Sequence, residues 1–301
     1  MEAKNSPKNM GTELDSSNAK LLSIEALYNA EIMTFLEAMP EPYHTYLYKV
    51  KKWRAVHPRA DISNFSIPKG ITNDLNKTRM KLMQLKIGGL REEYGFSSGV
   101  KFNLGTVVQA IASGRGLSSR DKPFVRLTSN ITHSITLLID FSSSMASQID
   151  KVKESVYIFS EVLDRLQLSF GVFGYSENFW IIKHFNEKWD LDAKSRLFGL
   201  EARGMSPEAI AINTTGSVTQ RMIEKGKVMF VISDGLFENR LQAKRAVQGV
   251  RKSGVVVVGI STFADVSDVF PANIIVHDDL NEVWSMDSFM RIYKNEFHSE
   301  Y

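Results

Sequence analysis

The rhythm of apolar and polar positions changes near residue 124. Before that point it is helical: Leu21, Ile24, Leu27, Ile32, Phe35 and Leu36 recur at roughly three- and four-residue spacing. They predict a helix from Leu21 to Met39, broken by Pro40 and Pro42. A second helix is expected from Tyr43 to Val56, and a third from Lys77 to Leu90, ended by Gly88-Gly89; Ala60 to Gly70 reads as a connection. Asn103 is placed to cap a helix over Leu104 to Ala112, with Gly114 closing its C-terminal end. Residues 1–18 are polar and without periodicity, which predicts a disordered lead. The reading up to this point is therefore a lead over 1–18 and a mainly helical region over 19–123.

From 124 to 301 strands alternate with helices. Ile135-Thr-Leu-Leu-Ile139 is a continuous β-branched and leucine run of the kind covered on both faces of a sheet. Ala146 to Leu166 then carries Ile149, Val152, Val156, Phe159, Leu163 and Leu166 at helical steps. Strands are predicted over Leu168 to Tyr175, Phe179 to Phe185, Val228 to Ile232 and Val255 to Ser261, and helices over Pro207 to Ile223 and Arg240 to Lys252. Such alternation predicts a Rossmann-like α/β domain with a mostly parallel central sheet flanked by helices.

Composition narrows the possible functions. Of 301 residues, 43% are hydrophobic and 24% charged, as in an ordinary globular chain. The net charge of +3 makes no case for wholesale nucleic-acid binding. Tyr46, Tyr48 and Trp53 among Lys49, Lys51, Lys52 and Arg54 offer groups that could stack on bases, but an amphipathic helix with a solvated basic face accounts for them better. The absence of cysteine excludes disulfides, Cys-ligated zinc and thiolate catalysis. The N-terminus has no apolar core of a secretory signal, and no apolar run approaches the ~20 residues of a membrane span. The expectation is a soluble, cytoplasmic protein with no membrane partner.

Two predicted strands end alike. Ile135–Ile139 runs into Asp140-Phe-Ser142-Ser-Ser144-Met, and Val228–Ile232 into Ser233-Asp234-Gly235. In open α/β sheets ligands lie beyond the carboxyl ends of the strands, so both carboxylates are expected at one rim. The oxygens of Asp140, Ser142 and Ser144 can converge on one point, and hard all-oxygen donors of this kind suit Mg²⁺ (or Mn²⁺ or Ca²⁺) rather than zinc or copper. Each piece also has a structural explanation: Asp140 and its serines as a helix cap, Asp234-Gly235 as a turn, Ser206-Pro207-Glu208 as a helix start. Their combination, in this order and on strands of this texture, points to a site.

Asp140-x-Ser142-x-Ser144 resembles the DxSxS signature of the metal-ion-dependent adhesion site (MIDAS) in von Willebrand factor A (VWA) domains. Gly204-Met-Ser206-Pro-Glu-Ala is similar to that family's Gly-x-Thr-Pro pattern, with Ser206 in place of Thr, and Asp234 matches the closing Asp. The resemblance covers about half of the chain and implies metal ligation by Asp140, Ser142, Ser144, Ser206 and Asp234, with no catalytic residue. Serine at 206 keeps the hydroxyl but loses the methyl that restrains its rotamer. Ser143 stands where many intracellular members have Gly, which leaves the loop backbone less free. Both departures imply weaker metal binding.

Ile135-Thr-Leu-Leu-Ile-Asp-Phe-Ser-Ser-Ser-Met145, with Gly95-Phe-Ser-Ser-Gly99, Leu104–Ala112 and Phe124-Val-Arg before it, resembles the C-terminal domain of the CobT subunit of aerobic cobaltochelatase. That likeness implies a non-catalytic subunit partnered by an AAA+ ATPase of the CobS or MoxR kind and by a large chelatase subunit, in cobalamin biosynthesis or a related process. The chain lacks the long acidic central segment of a full CobT.

The alternative is a VWA scaffold or adhesion-type binding protein without an ATPase partner. A phosphatase-like hydrolase, in which a strand-terminal Asp is the nucleophile, would need an acid/base two residues on, where Ser142 cannot do that work; Asp278-Asp279 only imitates its later acidic pair. No G-x-x-x-x-G-K-[ST] phosphate loop occurs. His44, His57, His133, His184, His277 and His298 are scattered, with no pair at metal-ligand spacing.

Overall fold

The computed structural model describes residues 10–38, 53–60, 62, 90–99, 101–118, 121–129 and 133–276. The elements, in chain order, begin with α1 (Met10–Glu37), β1 (Ala55–Val56), β2 (Leu90–Phe96), β3 (Lys101–Phe102), α2 (Leu104–Ala112) and β4 (Phe124–Ser129). They continue with β5 (His133–Asp140), α3 (Ile149–Arg165), β6 (Ser169–Tyr175), β7 (Phe179–Lys183), α4 (Leu191–Gly199) and α5 (Glu208–Gln220). Last come β8 (Gly226–Ser233), α6 (Arg240–Lys252), β9 (Val256–Ser261) and β10 (Ala272–Ile275). The chain divides into two compact units, one of residues 1–78 with 133–301 and the other of residues 79–132.

In the larger unit, seven strands among the described residues form one sheet in the order β1-β7-β6-β5-β8-β9-β10. The pairs β6–β5, β5–β8, β8–β9 and β9–β10 are parallel, and β7 runs antiparallel to β6. The fold class is therefore α/β with a mostly parallel sheet, as expected. The pleat sends alternate residues to opposite faces. Leu138, Met229, Val231 and Val257 join one buried cluster with Tyr28 of α1, Ile210 and Ile212 of α5 and Val247 of α6. On the other face Phe230 meets Phe159 of α3, with ring centroids 6.2 Å apart. Apolar residues cover the sheet on both sides, which is why its central strands read as unbroken hydrophobic runs.

The N-terminal helix is integral to this unit. Tyr28 is fully buried and stacks on Phe179 at 5.3 Å and against Phe173 at 5.4 Å. Glu31 accepts a hydrogen bond from Ser217 of α5 at 2.7 Å and pairs with Arg221. Asn29 grips the border strand: its amide donates to the Ala55 carbonyl at 3.2 Å, and its carbonyl oxygen accepts from the Ala55 N–H at 2.8 Å. α1 begins at Met10, inside the segment expected to be a disordered lead; residues 1–9 of that lead lie outside the described residues.

Two departures from the sequence reading concern residues before 133. Most of the helix expected over Tyr43–Val56 lies outside the described residues, but its end is a strand, with Ala55–Val56 pairing parallel to Phe179–Trp180. Trp53, expected on the basic helix, is instead buried against Phe179, and its indole N–H donates to the Ser176 carbonyl at 2.9 Å. The helix expected over Lys77–Leu90 lies outside the described residues up to 89, and Leu90 already belongs to β2.

The smaller unit is not wholly helical. β2, β4 and β3 form an antiparallel sheet in the order β2-β4-β3, so the run starting at Phe124 belongs here rather than to the larger domain. The physical reason is local: aromatic β-formers at Tyr94, Phe96, Phe102 and Phe124 outweigh the helical expectation. Gly99 lets the backbone pass so close that an added Cβ would stand 2.3 Å from the Val125 carbonyl oxygen. α2 spans the expected residues, and the Asn103 side chain accepts from the Gly105 N–H at 3.1 Å.

Candidate functional site

β5 and β8 are neighbours, with Ile139 level with Ile232. Asp140 at the end of β5 and Asp234 just after β8 therefore emerge at one rim, on adjacent strands, as the sequence predicts. Both are buried, with 1% and 3% exposure. No backbone bend is needed to bring them together; the register alone does it.

The loop leaving β5 is shaped by Asp140 itself. Its Oδ1 accepts from the Ser142 N–H at 2.7 Å, so the carboxylate turns the chain back over the strand end. Ser142 Oγ and Ser144 Oγ are 3.1 Å apart and share a hydrogen bond, which puts both hydroxyls on one side of the loop. A short 3₁₀ turn, Ser143–Ser147, follows before α3 begins at Ile149; Asp140 and its serines are thus not a side-chain cap of α3.

Ser206 arrives on a different segment, from α4 to α5. Two backbone bonds dock that segment onto the first loop, Arg203 N–H to the Phe141 carbonyl at 2.7 Å and Ser143 N–H to the Gly204 carbonyl at 3.2 Å. Gly204 has φ +81, and a Cβ there would lie 2.5 Å from Glu177 Cγ, so glycine is required for this approach. Ser206 Oγ then donates to Asp140 Oδ2 at 3.1 Å.

Asp234 is held by the Leu236 N–H, which donates to Oδ1 at 2.9 Å, while its Oδ2 is buried with no hydrogen-bond partner. Burial pushes the Asp140 carboxyl up to about 6; hydrogen bonds from Ser142 and Ser206 oppose the rise, and the charge of Asp234 adds to it. The charge of Asp234 disfavours that of Asp140, and Asp234 keeps an unsatisfied buried oxygen, so the donor set is short of positive charge. Together with three hydroxyls the two carboxylates can offer a hard divalent cation an all-oxygen shell. Among the described residues no group of three or more His, Asp or Glu side chains is arranged to hold a metal. The hydroxyls are needed to fill a shell.

Two residues at this rim were not singled out from the sequence. Glu208, read only as part of a helix start, is buried; its Oε1 accepts from the Asn239 N–H at 2.9 Å and its Oε2 has no partner. Burial, against the bond from Asn239 and with the charges of Asp140 and Glu238, pushes its carboxyl up to about 7. Tyr175, the partner of Asp140 across β5–β6, has a buried hydroxyl, raised well above the usual phenol range by burial and by the charges of Asp140 and Glu208. The signal for Glu208 was a lone acid among Met, Pro and Ala, and Tyr175 carried none beyond strand register. The Asp278-Asp279 pair lies outside the described residues.

The chain matches no family model and no curated protein sequence. Solved structures similar to it include the conserved hypothetical protein BatB from Bacteroides thetaiotaomicron, at 14% identity and a TM-score of 0.43, over 54% of this chain and 98% of that one. The SpRpn10 VWA domain aligns at 13% identity and a TM-score of 0.41, over 50% and 93% of the two chains. Manganese-loaded TRAP protein from Plasmodium vivax aligns at 13% and 0.38, over 51% and 70%.

Proposed function

We propose that this chain is a non-catalytic binding protein of the VWA type, which captures partner proteins through a divalent cation at the rim formed by β5 and β8. Asp140, Ser142, Ser144 and Ser206 would hold Mg²⁺, or Mn²⁺ or Ca²⁺, directly or through water. Asp234 would balance its charge and orient the shell, and a carboxylate of the partner would take an open position. The observation that carries this reading is the buried, unbonded Oδ2 of Asp234 one strand away from the buried Asp140. A buried anionic oxygen with no donor is costly, and a cation shared with Asp140 removes that cost and the mutual repulsion together. Bound metal would supply Lewis acidity toward the partner's carboxylate; the chain itself sets the donor geometry.

A scaffold or adhesion-type role needs nothing more than this site. The likeness of Ile135–Met145 to the site strand of CobT favours a second, narrower reading, a cytoplasmic subunit that works with an AAA+ ATPase and a large chelatase subunit in a cobaltochelatase-like assembly. One comparison tests both. Calorimetric titration should give Mn²⁺ and Mg²⁺ binding to the native chain and none to Asp140→Ala, whose circular dichroism should be unchanged. Co-purification with a co-expressed AAA+ ATPase of the MoxR or CobS type, in Mg²⁺ and in chelator, then decides the partner. Capture that is equal in chelator defeats the metal-dependent reading, and metal binding without ATPase capture leaves the scaffold.

A further inference from the structure

A cleft of about 520 Å³, within the size range of small-molecule sites, lies between the last turn of α3, the start of β6 and the segment after β7. Lys183, Leu168, Phe170 and Phe185 line it, with Asp164 and Glu187 among its polar groups. β6 pairs with β5 from Ser134–Ser169 to Asp140–Tyr175, so the cleft is at the rim opposite the Asp140 loop. It shares no residue with the metal-site reading and does not depend on it.

Lys183 is 3% exposed. A lysine is rarely buried without an acid beside it, because the desolvated ammonium needs a counter-charge. Among the described residues no carboxylate stands at ion-pair distance from this one. Its Nζ donates to the Phe170 carbonyl at 2.6 Å and to the His184 carbonyl at 3.3 Å, and lies 3.9 Å from the centre of the Phe170 ring. Glu187 is committed elsewhere: its Oε2 accepts from the His184 N–H at 2.6 Å and its Oε1 from Arg196 at 3.1 Å. Burial lowers the Lys183 ammonium to about 8, a fall that the charges of Glu187, Asp164 and Asp190 oppose. Roughly one such side chain in ten is then neutral at pH 7, against fewer than about one in a thousand for an ordinary lysine.

The strand itself aims this side chain. Lys183 pairs with Val172 while Ile181 pairs with Phe173, so Ile182 is an extra residue in β7, a bulge. It breaks the alternation of faces and puts Lys183 on the side of Val172 and Phe170, opposite Ile181 and Phe173. The bulged Ile182 carbonyl is held by Arg196, whose guanidinium donates to it at 3.1 Å.

We infer that this cleft takes up a small, uncharged or cationic aldehyde, which condenses with Lys183 to a Schiff base. A neutral amine that donates both of its hydrogens to carbonyls keeps its lone pair free, and that is the state the reaction needs. The lone pair forms the C–N bond while the carbonyl π pair moves to oxygen. Both amine protons end on that oxygen, which leaves as water as C=N forms, and nothing is oxidised or reduced. Leu168, Phe170 and Phe185 offer apolar contact to a short carbon chain, whereas Asp164 and Glu187 disfavour an anion.

Treatment of the full chain with butyraldehyde and sodium cyanoborohydride near neutral pH traps each Schiff base as an N-butyl lysine, which peptide mass spectrometry locates. Lys183 should be labelled about tenfold faster than the exposed lysines, at a rate that saturates as the aldehyde is raised. The preference should vanish in urea, and glyoxylate, an aldehyde carrying a carboxylate, should not show it. K183M should lose the saturable label at unchanged circular dichroism; the native chain carries the test by itself if that variant misfolds. Labelling of Lys183 no faster than that of exposed lysines, a rate that stays linear in butyraldehyde, a preference that persists in urea, or an equal preference for glyoxylate overturns the proposal.

Discussion

At the scale of single residues, Asp140 concentrates the electrostatic conflict of the rim. Its carboxyl takes up a proton near pH 6 in the folded chain, against 3.8 for the ordinary group. The folded state therefore holds that proton more tightly, and its contribution to stability is fully present below pH 3.8 and is lost as pH rises through about 6. Above that, the ionised, metal-free carboxylate costs roughly 3 kcal/mol, taking about 1.4 kcal/mol per pH unit. Asp140→Asn should accordingly stabilise the metal-free protein above pH 7 by up to about that amount, with the gain fading toward pH 4. Urea melts of both chains in EDTA at three pH values measure it; a gain independent of pH would show that charge is not the cause. Asp140, Ser142, Ser144, Ser206 and Asp234 were legible because strand-terminal carboxylates and clustered hydroxyls are a pattern in sequence. Glu208 and Tyr175 were not, because what sets them apart is burial, which depends on what α6 and β6 place around them.

At the scale of elements, the sequence was most informative where an amphipathic or uniformly apolar pattern ran long enough. α6 occupies the residues expected of it, and β5, β6, β8 and β9 differ only at their ends. Strand direction carries no periodicity, so the antiparallel course of β7 could not be read, and α4 was missed because Asp192, Lys194, Ser195 and Arg196 leave it only a thin apolar stripe. β1 was read as helix because its aromatic and basic neighbours imitate an amphipathic face, whereas tertiary packing of Trp53 decides the outcome. The packing of α1 gives a sharper expectation. Tyr28→Ala removes a fully buried ring between α1 and the sheet and should cost roughly 3–5 kcal/mol, read as a lower midpoint in denaturant at unchanged slope. An unchanged midpoint would mean that α1 is an accessory and not a layer of the fold.

At the scale of the whole molecule, the proposed metal binding would be linked to folding. A ligand bound only by the native state stabilises it by RT ln(1 + [L]/Kd), about 2.7 kcal/mol at a hundredfold excess over Kd. The melting temperature of the native chain should climb steadily with added Mn²⁺ and that of Asp140→Asn should not, measured by scanning calorimetry. Parallel traces for the two chains would remove the site from Asp140. Among the described residues no helix is long and apolar enough to cross a membrane.

Asn29 has a consequence for solubility. The last strand of an open sheet ordinarily offers a row of unpaired donors and acceptors to any extended chain that drifts past. Here the border strand among the described residues, Ala55–Val56, has two residues, and a side-chain amide from α1 occupies both bonding groups of Ala55, as a neighbouring strand would. Among the described residues Asn29 thus covers both bonding groups of Ala55 at this edge, so Asn29→Ala should leave that edge open to pairing and raise the tendency to aggregate, which light scattering of the two chains measures.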